Sequence, residues 1–154
     1  GLEADASIPL TDHFTLRPNV AISANKNVDF FIEGENGVQN LGDTDIAFSP
    51  SVIGANQLIY HNRGWFAMLA TKFVGDQFMD NLETPGAKLK AYTTTDFNVS
   101  YTFSPKKIFK QVIVSVLVNN ILDEKYASNG YYYEGASYYP QAGANFLAGL
   151  TLKF

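Results

Sequence analysis

His13 and His61 are the only imidazoles in the chain, and there is no cysteine. A zinc centre needs three or four convergent ligands, and neither histidine is accompanied by a ligand set at metal-site spacing. Both lie at short turns between apolar runs and read as exposed turn residues. Glu33, Glu35, Asp43 and Asp45 offer the oxygens that Ca²⁺ prefers, but without ordered acidic spacing they read as a solvated loop. Asp123 and Glu124 are adjacent, so they diverge along an extended chain and do not form an acid/base pair. Without cysteine there are no thiolate nucleophiles and no disulfides. There is no Ser-His-Asp arrangement, phosphate-cradling Gly-rich loop or zinc signature. No catalytic residue, metal ligand or cofactor is expected, and an enzyme is not supported. The remaining cluster is Tyr131, Tyr132 and Tyr133 with Tyr138 and Tyr139. Tyrosine combines a large rigid contact area with a hydrogen-bonding hydroxyl at low entropic cost, so this segment is a candidate ligand-contact loop. The alternative is that its rings pack among neighbouring loops or sit in an outer aromatic girdle.

The elements that position these residues must fit in 154 residues, room for one domain at roughly 100 to 200 residues each. Charged residues make up 17% and aromatic ones 14%, which argues against disorder. A net charge of −4 gives no general attraction to phosphate, so no nucleic-acid partner is expected. The longest apolar stretch, Val112 to Val118, is interrupted by Ser115 and is far too short for a membrane-spanning helix. The chain starts at Gly1 without a visible signal peptide and reads as a processed or excised product.

Alternation of period two runs through almost the whole chain, the mark of an all-β protein. Phe97, Val99, Tyr101 and Phe103 fall on one face of a strand, and Asp96, Asn98, Ser100 and Thr102 on the other. Phe146, Ala148, Leu150, Leu152 and Phe154 repeat the pattern opposite Gly149, Thr151 and Lys153. Val20, Ile22 and Ala24 do so again, as does the run from Trp65, Ala67 and Leu69 toward Phe73. Val112 to Val118 is a strand whose exposed face is not legible.

Short connections at Leu10–His13, His61–Gly64 and Ser104–Lys107 alternate with long ones at Glu33–Pro50, Asn81–Lys90 and Ser128–Gly143. The result is an antiparallel up-and-down meander of about seven strands with all short turns at one end. Bacterial outer-membrane barrels have this arrangement, with short periplasmic turns and long extracellular loops. Phe14, Tyr60, Trp65, Phe66, Tyr101, Phe103, Phe109 and Phe154 sit beside the short turns, as an aromatic girdle at a membrane boundary requires. A soluble sandwich or lipocalin-like barrel would use the same rings as core.

Val116-Leu117-Val118-Asn119-Asn120-Ile121-Leu122-Asp123-Glu124-Lys125-Tyr126 resembles the penultimate-strand motif of TonB-dependent outer-membrane receptors, with Ile-Leu where Leu-Phe is usual. Tyr139 to Gly143, Asn145-Phe146 and Gly149 to Phe154 resemble the family's closing segment. Phe48-Ser49-Pro50, and Lys72 to Phe78 with Asp80-Asn81, resemble upstream patterns in which Tyr is commoner than Phe. Gly34 to Asn40 with Thr44 to Ile46 fits one of the long loops.

The resemblance covers nearly the whole chain, but only the C-terminal portion of such a receptor. It implies part of a 22-stranded transmembrane β-barrel, without the N-terminal plug or the TonB box. It also implies a bacterial outer-membrane location and a role in TonB-dependent uptake of a ferric siderophore or similar large nutrient, with no catalysis. The TonB complex would act through the plug region missing from this sequence. Phe146, Leu150, Leu152 and Phe154 would form the signal read by the barrel-assembly machinery. About seven strands do not close so wide a lumen. The alternative from another class is a small autonomous barrel binding an apolar ligand, which needs about eight strands.

Overall fold

The computed structural model describes residues 1–34, 37–105 and 108–154. Among these residues every regular element is a β-strand. Glu35 of the acidic loop and Lys106 and Lys107 of the third short turn lie outside the described residues.

The chain opens with β1 (Leu2–Asp5) and β2 (Ile8–Pro9), both antiparallel to β3 (Phe14–Ile22). Asp5 faces Asn19 and Ile8 faces Leu16, one continuous register, so β1 and β2 are two parts of a single strand. The interruption lies opposite Pro18. The Ala6 N–H donates to the Pro18 carbonyl at 3.0 Å, and proline has no N–H to return, so one ladder bond is missing.

The next connection carries β4 (Lys26–Asn27), β5 (Phe31–Gly34), β6 (Gly37–Asn40) and β7 (Thr44–Asp45), nested as two ribbons. β8 (Val52–Asn62) and β9 (Trp65–Val74) form a long hairpin closed by Arg63, at a φ of 53°, and Gly64. The Gly64 carbonyl accepts the Thr102 N–H at 2.8 Å, and a Cβ at position 64 would collide with the Thr102 carbonyl oxygen. A ribbon of β10 (Gln77–Phe78) and β11 (Lys88–Leu89) precedes β12 (Tyr92–Phe103). Beyond β13 (Gln111–Asn119), the ribbon of β14 (Ala127–Tyr132) and β15 (Ala136–Pro140) leads to β16 (Asn145–Lys153).

The wall is one sheet in the order β1/β2, β3, β8, β9, β12, β13, β16, each strand antiparallel to the next. This is the expected all-β, up-and-down meander, with seven strands once β1 and β2 are joined. Short and long connections alternate without exception. The long ones begin earlier than the loop-forming residues suggested and contain ribbons of their own, whose two- to six-residue strands are too short to show a period. With an odd number of strands, β1 and β16 run in the same direction, and neither has an outer partner among the described residues.

Register fixes the faces. Leu16, Leu58, Leu69, Phe97, Val118 and Phe146 lie in one row across the sheet, and Phe14, Tyr60, Ala67, Val99, Val116 and Ala148 in the next row on the same face. The ambiguous strand is thereby resolved: Val112, Val114, Val116 and Val118 join this apolar face, with Ile113, Ser115 and Leu117 opposite. The opposite face is mixed, setting Arg17, Gln57, Asn98 and Ser100 among Ile59, Met68 and Leu117. The apolar face is uncovered: Phe146 is 76% and Leu150 64% exposed. At its short-turn end, ring centroids lie 4.9 Å apart for Phe14–Tyr60, 4.6 Å for Trp65–Tyr101 and 5.1 Å for Phe109–Phe154. Phe66 does not belong to this band. It pairs with Ser100 and His61 on the other face, because its neighbour Trp65 takes the apolar side and successive side chains alternate.

Candidate functional site

The long-loop end is built around the connection between β9 and β12. Within it the Met79 N–H donates to the Ala87 carbonyl at 2.7 Å, and the Asp80 carboxylate accepts the N–H groups of Leu82 and Thr84 at 3.1 and 3.2 Å. This folds Met79, Ala87 and Leu89 into a buried cluster, against which Ala127 and Ala136 of the third long connection pack. The first long connection clasps the same hub. Its Asp45 N–H donates to Glu83 Oε1 at 2.6 Å, its Ala47 N–H to Asn81 Oδ1 at 2.7 Å, and its Phe48 N–H to the Phe78 carbonyl at 2.8 Å. Lys88 pairs with Asp76 and lies 5.3 Å from the Phe78 ring centroid. That hydrogen bond with Lys88 is the main reason the Asp76 carboxyl is held below its ordinary value.

The Asn119–Tyr126 motif ties three strands together. Asn120 is 4% exposed, with a left-handed φ of 48°, a conformation that asparagine tolerates better than most residues. Its N–H donates to Asp96 Oδ1 at 2.7 Å. Its side-chain amide donates to the carbonyls of Glu124 at 2.9 Å and Ala142 at 3.2 Å, while its Oδ1 accepts the Glu124 N–H at 2.9 Å. Asp123 Oδ1 accepts from Lys125 Nζ and from the Ala144 N–H, both at 2.8 Å. The Lys125 bond first, and the Ala144 bond next, lower the Asp123 pKa. Asp96, on the polar face of its strand with Asn98, Ser100 and Thr102, is thus engaged in joining β12 to the loop after β13.

The tyrosines divide. Tyr138 donates its hydroxyl to the Lys88 carbonyl at 3.3 Å, and the Tyr132 ring lies against Gly86, so these two hold the third loop on the hub. Tyr131 and Tyr139 meet at a centroid distance of 6.2 Å on the open side of the ribbon, and Tyr133 stands alone at its tip, 76% exposed. Gly130 is what lets the ribbon sit so close. A Cβ there would lie 2.7 Å from Met79 Sδ and collide with the Ser137 carbonyl oxygen.

Two cavities border the hub. An open cleft of about 390 Å³ is lined by Leu89, Lys90, Glu124, Lys125, Tyr126 and Tyr138. A polar pocket of about 190 Å³ includes Lys26, Asp45, Asp76 and Lys88 in its walls. Of the five candidate tyrosines, only Tyr138 lines the larger cleft. Tyr126, which stacks on Tyr92 at 4.2 Å, completes it. No spacing pattern points to Lys90 or Tyr126 as cleft residues, since the cleft arises from contact between two loops far apart in sequence.

Among the described residues no three His, Cys, Asp or Glu side chains gather to hold a metal ion. Asp43 accepts the Asp29 N–H at 3.2 Å and Asp45 pairs with Lys26 at 3.3 Å. His13 and His61 are exposed, and the His13 ring lies edge-on to Tyr60 at 6.2 Å.

No protein-family model matches the sequence, and no curated protein matches it. Nine chains of solved structures do match. One is the ferric yersiniabactin uptake receptor FyuA from Yersinia pestis, with a TM-score of 0.66 and 16% identity over 96% of this chain. The likeness spans 22% of the receptor's length. At that identity it shows a shared fold, an antiparallel, up-and-down β-sheet.

Proposed function

We propose that this chain is the C-terminal wall segment of a TonB-dependent receptor in the outer membrane of a bacterial cell, and that the whole receptor takes up a ferric siderophore or a similarly large nutrient. The observation that carries this reading is the uncovered apolar face, bordered by aromatic rings at the short-turn end. Rows of leucine, valine and phenylalanine facing outward are suited to hydrocarbon, and amphipathic rings to its boundary. The likeness to a ferric yersiniabactin uptake receptor supports the same assignment. In this reading the chain performs no chemistry. It supplies wall strands, three extracellular loops and, through Phe146, Leu150, Leu152 and Phe154, the signal for the barrel-assembly machinery. TonB engages the plug region of the whole receptor. A lipocalin-like barrel would instead turn its apolar face inward around a closed sheet, whereas among the described residues this sheet has two edges without an outer partner.

Tyr131, Tyr133 and Tyr139 are the candidate ligand contacts, because Tyr132 and Tyr138 hold the loop in place. The test is uptake of iron-55 presented as siderophore complexes by cells carrying the whole receptor gene or its deletion. Loss of uptake for at least one complex on deletion, restored by the gene, is expected. Equal uptake of every complex with and without the gene would refute the transport role.

A further inference from the structure

The polar pocket of about 190 Å³ lies between the first and second long connections and takes no part in the transport role proposed above. Its walls are held by the backbone. The Ser23 N–H donates to the Ser51 carbonyl and the Gly75 N–H to the Val52 carbonyl, both at 2.9 Å, and the Phe48 N–H reaches the Phe78 carbonyl at 2.8 Å. A pocket fixed in this way is formed before any ligand arrives, which removes the cost of ordering loops on binding.

The lining is polar and electrically balanced. Its four charged side chains form two pairs, Lys26 with Asp45 at 3.3 Å and Lys88 with Asp76. An ion entering here would give up hydration without meeting a free counter-charge. A neutral hydroxyl group meets partners on both sides. An ammonium has three donors and a carboxylate about four lone-pair sites, so both pairs can stay joined while bonding to a ligand. Gln77 and Ser51 add an amide and a hydroxyl that make no side-chain hydrogen bond among the described residues. The apolar part of the lining is Ala24 and the Phe78 ring, with Lys88 Nζ 5.3 Å from the ring centroid. A wholly apolar ligand would leave the amide, the hydroxyls and the ion pairs without partners. Volume sets the size of the occupant. Clefts for drug-sized ligands hold roughly 300 to 1,000 Å³, so this smaller one admits a single ring with its substituents and no large ferric chelate.

We propose that this pocket binds one residue of a neutral sugar, a pyranose whose hydroxyls bond to the two ion pairs, Gln77 and Ser51 while its C–H surface packs against Phe78. The site is separate from the tyrosines of the third long connection, none of which lines it. It does not depend on which nutrient the protein carries.

The test is saturation-transfer NMR on the full-length protein in a detergent without a sugar headgroup, with the methyl glycosides of glucose, galactose and mannose as probes. Saturable transfer to at least one of them is expected, with weaker binding of its uronate and amino-sugar analogues. Gln77→Met and Ser51→Ala should each raise the Kd about two- to tenfold, the loss of one neutral hydrogen bond, at an unchanged melting temperature. Ser51 is exposed, so its alanine variant keeps the comparison valid if Gln77→Met fails to fold. Transfer to none of the three glycosides, tighter binding of a charged analogue, or a Kd moved by neither substitution would overturn the proposal.

Discussion

The wall and the long-loop end are stabilised in opposite ways. The wall holds the longest strands, yet among the described residues only Val74 and Val112 of the buried hydrophobic side chains belong to it. The loop end is made of short ribbons, yet it holds the one buried hydrophobic cluster among the described residues, Met79, Ala87 and Leu89. A sheet this wide with an uncovered apolar face depends on its surroundings to remove that face from water. The loop end packs on itself, through its cluster and through side-chain oxygens of the second connection that accept backbone N–H groups of the first. The loop tyrosines are therefore positioned by a unit with a buried cluster of its own, distinct in its packing from the wall that carries it.

The largest expected effect is on the wall. Val99→Arg, in the middle of the apolar face, should cost about 2 to 4 kcal/mol of stability in lipid vesicles, the range for an arginine facing mid-bilayer lipid. Ser100→Arg, one residue along and on the other face, should cost under about 1 kcal/mol. Equal costs in denaturant titrations would remove the distinction between the faces. Leu89→Ala should cost about 2 to 4 kcal/mol, but in the loop end alone. Hydrogen exchange should quicken through residues 77–89 and 127–140 while β12 and β13 stay protected. Uniform loss of protection would mean that the two regions form one cooperative unit.

Asn120→Ala removes three side-chain hydrogen bonds and strains the left-handed backbone. A loss of about 2 to 3 kcal/mol is expected, with faster exchange at Ile121 and Ala144 as the readout. The smallest effect concerns pH. Asp76 and Asp123 have folded pKa values below the ordinary 3.8. Their stabilising contacts are therefore fully present above that value and are lost as pH falls through the folded values. Exchange at Ala144 N–H, corrected for its intrinsic pH dependence, should accelerate only below about pH 4. Acceleration between pH 5 and 7 would point to a different group.

Much of the wall was legible because a period of two needs only neighbouring residues to be seen. Phe97 to Phe103 and Phe146 to Leu152 declare their faces directly, and the unequal connections declare the meander. Val112 to Val118 was not legible alone, since apolar residues occupy both sides and only its partners, Val99 and Ala148 among them, settle its register. Phe66 was misassigned to the aromatic band for the related reason that proximity to a turn does not specify a face. The loop end was nearly invisible. Met79, Ala87, Leu89 and Ala136 meet across connections far apart in sequence, and no local pattern announces such a meeting. The Asn120 motif was recognised by resemblance, but its physical role, tying the ends of β12 and β13 to the start of β16, appears only in three dimensions.

Trp65 is the single tryptophan of the chain. It lies on the apolar face within the aromatic band, tilted against Tyr101, so its fluorescence reports directly on what covers that face. The decisive measurement is quenching of this fluorescence in the whole receptor, its tryptophans outside these residues replaced by phenylalanine, folded into phosphatidylcholine vesicles, comparing brominated lipids with aqueous acrylamide. Strong quenching by lipids brominated near the headgroup, with little by acrylamide, is the expected result. Free quenching by acrylamide and none by any brominated lipid would contradict the claim that this face lies against the membrane.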